Sequence, residues 1–103
     1  MDIKEKAEQG NADAQYKLAG MYELGNGVEE DMDKAVYWYT KAAEQGLADA
    51  QYELGLIYSN GDYVEMDDVR GADLIRQAAD QGHQDANEWF LPDVEGGYGD
   101  PWA

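Results

Sequence analysis

The side chains that could do chemistry in this chain are mostly carboxylates, because nucleophiles and bases are scarce. The 103 residues include one histidine, His83, one serine, Ser59, one threonine, Thr40, and no cysteine. A catalytic serine or cysteine needs a base and an orienting group within hydrogen-bond reach, and no such set can be assembled here. The lack of cysteine also excludes disulfides and thiolate metal sites. We therefore expect a non-enzymatic protein without a cofactor, and an exposed position for His83 in a turn.

Eight carboxylates are concentrated in two short segments at equivalent positions of the chain. The first segment holds Glu29, Glu30, Asp31 and Asp33, and the second holds Asp62, Glu65, Asp67 and Asp68. We call these eight residues the acidic rim. One interpretation is a docking strip for a basic partner, or weak calcium sites. The alternative is that they cap helices and keep the loops soluble, and no EF-hand spacing favours calcium.

The overall charge restricts the class of partner. The formal charge is −16, from 23 acidic and 7 basic residues. A general nucleic-acid binder needs a basic face to neutralise phosphates, and docking on anionic membranes needs one too. We therefore expect neither nucleic acid nor membrane as a ligand. A basic protein partner remains open, as does a role for the charge in solubility alone.

A short phrase that recurs three times sets the arrangement of all these residues. It reads Ala-Glu-Gln-Gly at 7–10, Ala-Glu-Gln-Gly at 43–46 and Ala-Asp-Gln-Gly at 79–82, a spacing of 36 residues each time. A fixed period in the range of 20 to 50 residues is typical of stacked-repeat proteins. The rest of the chain keeps this period: Ala12–Leu18 matches Ala48–Leu54, and a looser copy follows at 84–90.

These recurring residues resemble the Sel-one-like repeat, a relative of the tetratricopeptide repeat. The order Ala-Gln-x-x-Leu, Gly-x-Gly-Val, Asp-x-x-Lys-Ala and Lys-Ala-Ala-Glu-Gln-Gly is present in register. The resemblance implies an all-α, right-handed superhelical solenoid of antiparallel helix pairs, commonly used to bind other proteins. We assign one domain, 1–91, with repeats at 11–46 and 47–82 and half-units at 1–10 and 83–91. Residues 92–103 form an acidic, glycine-rich tail.

Helical periodicity gives the elements that position the candidate site. Apolar and small residues recur three and four positions apart, and they predict helices at about 2–9, 12–24, 32–45, 48–59, 67–80 and 84–91. Asp31 is a plausible N-cap, and Gly10 is placed just after a helix end, where a positive φ is needed. Small residues at Ala19/Gly55 and Ala35/Gly71 are expected to let helices approach closely.

Two candidate binding surfaces follow from this arrangement. In the related architecture the first helices of the pairs line the concave face, where Gln15, Tyr16, Gln51, Tyr52 and Asn87 would form a polar-aromatic groove. The alternative is that both tyrosines pack between repeats. The second surface is the acidic rim, whose predicted partner-binding residues are Glu29, Glu30, Asp67 and Asp68.

The second repeat departs from the first at three positions, and the tail keeps two aromatic residues, Tyr98 and Trp102. Tyr63 replaces Gly27, Gly71 replaces Ala35 and Leu74 replaces Trp38, which predicts a more mobile second repeat. Gly71 in particular is expected to weaken its helix by about 1 kcal/mol relative to alanine. Trp102 is expected to contact either the last helices or a second chain, so self-association is open.

The expected function is non-catalytic protein binding. One hypothesis is an acidic adaptor or regulatory protein with a basic partner, and the other is an immunity protein that neutralises a basic toxin or nuclease. Residues 1–6 contain no apolar stretch of the kind found in signal peptides, so we expect a cytoplasmic location. Fold analogy does not choose between these hypotheses, because function depends on the site.

Overall fold

The structure, a computed structural model, describes residues 2–61 and 64–90. Every regular element in these ranges is helical, as predicted. The six helices are α1 Ile3–Glu8, α2 Ala12–Leu24, α3 Met32–Glu44, α4 Ala48–Asn60, α5 Asp68–Asp80 and α6 Gln84–Phe90. Each boundary lies within one residue of the sequence-based expectation. Each helix packs mainly on its neighbours in the chain, α1 on α2 and so on to α6. This pattern of contacts is that of a linear stack of helix pairs.

The recurring phrase ends each second helix in the same way. After α1, the N–H of Gly10 donates to the Ala7 carbonyl and the N–H of Asn11 donates to the Lys6 carbonyl, both at 3.0 Å. This is the Schellman arrangement, which satisfies the last free carbonyls of a helix. It requires a positive φ at the glycine, and Gly10, Gly46 and Gly82 have φ values of 99°, 90° and 90°. The phrase therefore encodes a helix stop, and its glycine supplies the left-handed residue.

Aspartate and asparagine side chains cap the start of four of the helices. Asp2, Asn11, Asp31 and Asp67 each accept a hydrogen bond from a backbone N–H in the first turn that follows. The prediction for Asp31 is confirmed by the bond from the Lys34 N–H to Asp31 Oδ1, 3.1 Å long. Asp67 repeats it with the Arg70 N–H at 3.0 Å. These two members of the acidic rim therefore have a structural role as helix caps.

The core follows the helix pairs as a strip. Leu18, Leu54 and Ile75 are its largest fully enclosed side chains, and alanines fill the narrow places between helices. Ala14, Leu18 and Tyr22 on α2 are buried, as are Ala35 and Tyr39 on α3, while Trp38 is half-buried against the same core.

The close approach expected at small residues is most pronounced between α4 and α5. A Cβ atom added at Gly55 would lie 2.6 Å from Ile75 Cγ1 and 2.8 Å from the Gly71 carbonyl oxygen. Its counterpart at Gly71 would meet the side chain of Ser59 and would lie 2.7 Å from the Gly55 carbonyl oxygen. Gly71 therefore serves packing, a role that helix propensity alone does not reveal. Tyr63, another of the three departures that predicted a mobile second repeat, lies outside the described residues.

Candidate functional site

The two glutamines predicted for the groove lie in the interior instead of on an open surface. Gln15 is 5% exposed and Gln51 is 4% exposed. The Nε2 of Gln15 donates to the Ala7 carbonyl at 3.0 Å, and the Nε2 of Gln51 donates to the Ala43 carbonyl at 3.4 Å. Each amide thus binds the helix that precedes it. The expectation that they line a groove is revised, because a partner cannot reach them in this arrangement.

The glutamine of the recurring phrase completes the same network. Gln45 Nε2 donates to the Gly10 carbonyl at 2.8 Å and to Gln15 Oε1 at 2.9 Å. One repeat later, Gln81 Nε2 makes the same two bonds, to the Gly46 carbonyl and Gln51 Oε1, at the same distances. Two successive second helices are thereby tied through the first helix between them. Sequence reasoning missed this role, although the recurrence of glutamine beside an obligatory glycine was visible.

Tyr16 and Tyr52 are half-buried and lie in different surroundings. Tyr16 packs against Tyr39, with ring centroids 5.8 Å apart and tilted by 54°. Tyr52 stacks on the imidazole of His83, with a centroid distance of 4.8 Å and an interplanar angle of 29°. The alternative that both tyrosines pack between repeats describes the stacking of Tyr52 on His83 of the next unit, whereas Tyr39, on which Tyr16 packs, belongs to the same repeat as Tyr16. Each tyrosine keeps some surface for a partner.

His83 occupies a structured position, so the expectation of an exposed turn residue is wrong. Its side chain is 13% exposed, and its Nε2 lies 2.9 Å from Asp49 Oδ1. Its Nδ1 accepts a hydrogen bond from the Ala86 N–H at 3.2 Å, which caps the start of α6. An acceptor Nδ1 leaves the proton on Nε2, where it can be donated to the Asp49 carboxylate. His83 therefore joins α4 to α6, and its ring nitrogens are both engaged.

A group of carboxylates and tyrosines lies on the side of the stack formed by α2 and α4. Tyr39 Oη donates to Glu23 Oε1 at 2.7 Å. Burial raises the pKa of Glu53, and the negative charges of Glu23 and Asp49 raise it further. Burial also raises the pKa of Tyr16, with Glu53, Asp49 and Glu23 adding to the effect. We call Tyr16, Glu23, Asp49 and Glu53 the first-helix face.

Few positive charges compensate this face. Within residues 2–61 and 64–90, no lysine or arginine forms an ion pair with a carboxylate. In the same ranges, the contact between His83 and Asp49 is the one between a basic side chain and a carboxylate at ion-pair distance. Four of the seven basic side chains lie over aromatic rings instead, namely Lys34, Lys41, Arg70 and Arg76. Lys34 Nζ is 5.3 Å from the centre of the Tyr22 ring, and the Arg70 guanidinium is 4.8 Å from that of Tyr58. Lys34 and Arg70 therefore pack on the stack through cation–π contacts.

The predicted partner-binding residues of the acidic rim are all on the surface. Glu29, Glu30, Asp67 and Asp68 are exposed, in the loops and first turn between α2 and α3 and between α4 and α5. Asn87 is also exposed, and its Nδ2 donates to the His83 carbonyl at 3.1 Å. Trp102 lies outside the described residues.

The described part of the chain offers no cluster of three histidine, cysteine, aspartate or glutamate side chains arranged to hold a metal ion. Among the same residues, no helix combines the length and apolar character needed to cross a bilayer.

Comparison with known proteins places these features in a family. The Sel1 repeat model matches residues 12–47 and 48–83, each beginning one residue after the predicted unit. A protective antigen present in uropathogenic Escherichia coli strains, which displays an SLR fold, is 40% identical with a TM-score of 0.78. That match covers 82% of this chain and 18% of the antigen.

A Sel1 repeat protein from Oxalobacter formigenes is 37% identical, also with a TM-score of 0.78. The match covers 84% of this chain and 65% of that protein, so the present sequence spans less than two thirds of both relatives. A search of curated proteins gave no match. The family match and both structures confirm the predicted solenoid of helix pairs, and the chain belongs to the Sel1 repeat family.

Proposed function

We propose that this protein is a non-catalytic adaptor that binds a basic segment of another protein on its first-helix face. Sel1 repeat proteins generally mediate protein–protein interactions and are typically non-catalytic scaffolds. The observation that carries the proposal is Glu53, a half-buried carboxylate surrounded by other acids, with no lysine or arginine paired to it in the described residues.

A cation from a partner would relieve the electrostatic cost of this arrangement. Glu53 loses hydration through burial and is repelled by Glu23 and Asp49, and both effects disfavour its charged form. A lysine or arginine placed beside it reverses the Coulomb term and lowers its pKa. The neighbouring Tyr16 ring adds a surface on which a cation is favourable. Charge complementarity therefore selects a basic partner over a neutral one.

The acidic rim has a different part in the proposal. The charges of Glu29, Glu30, Asp67 and Asp68 are exposed and are screened over about 8 Å at physiological ionic strength. Charges of this kind accelerate the encounter of two proteins more than they tighten the final complex. We assign to Glu29, Glu30, Asp67 and Asp68 the steering of the partner, and to the first-helix face its retention.

The partner's identity separates an adaptor from an inhibitor. The immunity-protein alternative uses the same surfaces, since a nuclease or toxin site that binds phosphates is itself basic. A regulatory partner would instead present a basic segment away from any catalytic site. Self-association through the terminal helices or the tail is a third proposal, and sedimentation tests it directly. We also propose a cytoplasmic location.

Affinity capture from the native cell at low salt tests the proposal. The parent protein should retain a basic protein that is released by added salt, and Glu53→Gln should retain much less of it. Glu44→Gln is the matched control, because it removes the same charge from an exposed position near the end of α3. Equal retention by all three proteins would contradict a role for the first-helix face. Inhibition of the captured protein's own activity would identify the immunity function.

A further inference from the structure

Two asparagine–glycine pairs occur in the chain, and they differ in the hydrogen bonding of the glycine N–H. Asn26–Gly27 lies in the loop between α2 and α3, and Asn60–Gly61 lies at the end of α4. Asparagine followed by glycine is prone to cyclisation, in which the glycine backbone nitrogen attacks the asparagine side chain. Glycine has no Cβ to hinder this attack. Both asparagines are exposed, so exposure does not distinguish them.

The attacking nitrogen is what distinguishes the two pairs. The Gly61 N–H donates to the Ile57 carbonyl at 3.0 Å, as the last bond of α4. This bond and the helical conformation of Asn60 hold the nitrogen away from the asparagine side chain. The Gly27 N–H has no acceptor within residues 2–61 and 64–90, and the Asn26 side chain has no hydrogen bond there either. Gly27 also has a φ of 84°, in a turn outside any helix.

We propose that Asn26 is a site of spontaneous deamidation, and that Asn60 is protected from it. The Gly27 nitrogen loses its proton and attacks Cγ of Asn26, which forms an N–Cγ bond and expels ammonia. The product is a five-membered succinimide. Water then opens the ring by breaking either the N–Cγ bond, which gives aspartate, or the bond to the main-chain carbonyl, which gives isoaspartate. No oxidation or reduction is involved.

The modification adds a negative charge beside the acidic rim. Asn26 lies three residues before Glu29 in the same loop, and the matching position of the second repeat is already an acid, Asp62. The aspartate product therefore gives the first loop the same acidic residue as the second. The isoaspartate product differs, because it adds a methylene group to the backbone beside the Asn26 N–H bond to the Met21 carbonyl. This inference is independent of the proposed function.

Peptide mapping by mass spectrometry tests the inference on the intact chain. The protein is incubated in mildly alkaline buffer and then cut with trypsin. Cleavage after Lys17 and Lys34 gives peptide 18–34, which contains Asn26, and cleavage after Lys41 and Arg70 gives peptide 42–70, which contains Asn60. Peptide 18–34 should gain about one dalton and split into aspartate and isoaspartate forms, at least tenfold faster than peptide 42–70 changes.

Two controls keep the result specific. In denaturant the hydrogen bond of Gly61 is lost, so both peptides should convert at similar rates. Asn26→Gln keeps a side-chain amide but disfavours the five-membered ring, and it should abolish the change in peptide 18–34 while the helical circular dichroism stays unchanged. Conversion at equal rates in the folded protein, or no conversion of peptide 18–34 in either state, would overturn the proposal.

Discussion

The two repeats pack their helix pairs with different side chains at equivalent positions. In the first repeat, alanines at 19 and 35 separate α2 from α3, and the Tyr39 hydroxyl reaches across to Glu23. In the second repeat the equivalent positions are glycines 55 and 71, and Ile75 and Ser59 replace the hydrogen-bonded pair. Two glycines bring the backbones of α4 and α5 into contact, and Ser59 Oγ is left buried without a hydrogen bond in the described structure.

This difference shows that the effect of a substitution in one helix depends on the residue that faces it on the other helix of the pair. Gly71 alone resembles a weak point in a helix, but with Gly55 it makes a close contact that no larger residue permits. Tyr39 alone resembles another core aromatic, but with Glu23 it fixes a carboxylate on the first-helix face. Substitutions on either side of each pair should therefore separate the two modes of packing.

The largest effect is expected at the glycine contact. Gly71→Ala should destabilise the protein by roughly 1–3 kcal/mol, because the new Cβ meets Ser59 and the Gly55 carbonyl and forces the helices apart. Gly20→Ala is the matched control, since the nearest atom to its Cβ is Tyr39 Oη at 3.8 Å. That control should stabilise by up to about 1 kcal/mol through helix propensity. Urea unfolding gives both values, and stabilisation by Gly71→Ala would show that the contact is loose.

Disruption of the amide network should lower the free energy of unfolding by a similar or slightly smaller amount in both repeats. Gln51→Ala removes one of the two acceptors of the Gln81 amide, which keeps the Gly46 carbonyl, and also removes the bond to the Ala43 carbonyl. The loss should cost roughly 1–3 kcal/mol. Gln15→Ala removes the equivalent bonds from the first repeat. The urea midpoints of the two variants should fall by comparable amounts. Glu44→Gln serves as the surface control. If Gln15→Ala or Gln51→Ala had the same urea midpoint as this control, the amide network of that repeat would have no structural role.

The hydroxyl of Tyr39 should contribute less. Tyr39→Phe removes the hydrogen bond to Glu23 but keeps the ring in the core, and it should cost about 1 kcal/mol. The second repeat has isoleucine at this position, so Ile75→Val gives a matched comparison of packing without a hydrogen bond. In a double-mutant cycle with Glu23→Ala, which removes the acceptor, Tyr39→Phe should show coupling, whereas Ile75→Val should not. Additive effects of Tyr39→Phe and Glu23→Ala would show that the hydrogen bond contributes nothing to stability.

The smallest effect is expected at Glu53, where the substitution should stabilise the protein. Its pKa is raised in the folded protein, so folding favours the protonated form and the charged form costs stability. The stabilising contribution is present below the ordinary glutamate pKa and is lost as the pH rises through the raised value. Glu53→Gln should therefore raise the urea midpoint at neutral pH and have less effect in acid. The exposed Glu29→Gln is the control, and a lower midpoint for Glu53→Gln at neutral pH would contradict this sign.

Helix positions were predictable from the sequence because they depend on local periodicity and on glycine. The phrase at 7–10 and its two copies fixed the helix ends, and Asp31 fixed a helix start. Pairs across the stack were not predictable in the same way. Gln15 and Gln51 have the sequence pattern of surface amides, and only the three-dimensional distance to Gln45 and Gln81 shows them to be internal. His83 has the position of a turn residue, and its contact with Asp49 joins residues 34 positions apart.

The kinetics of binding to the captured partner, measured by stopped flow across a salt series, test the central claim most directly. We predict an association rate that falls steeply with salt in the parent protein, because exposed charges steer the encounter. Replacing Glu29, Glu30, Asp67 and Asp68 by their amides should flatten that dependence with little change in the dissociation rate, and asparagine at 67 keeps its helix cap. Glu53→Gln should instead raise the dissociation rate. An association rate indifferent to salt in the parent protein would contradict binding by charge complementarity.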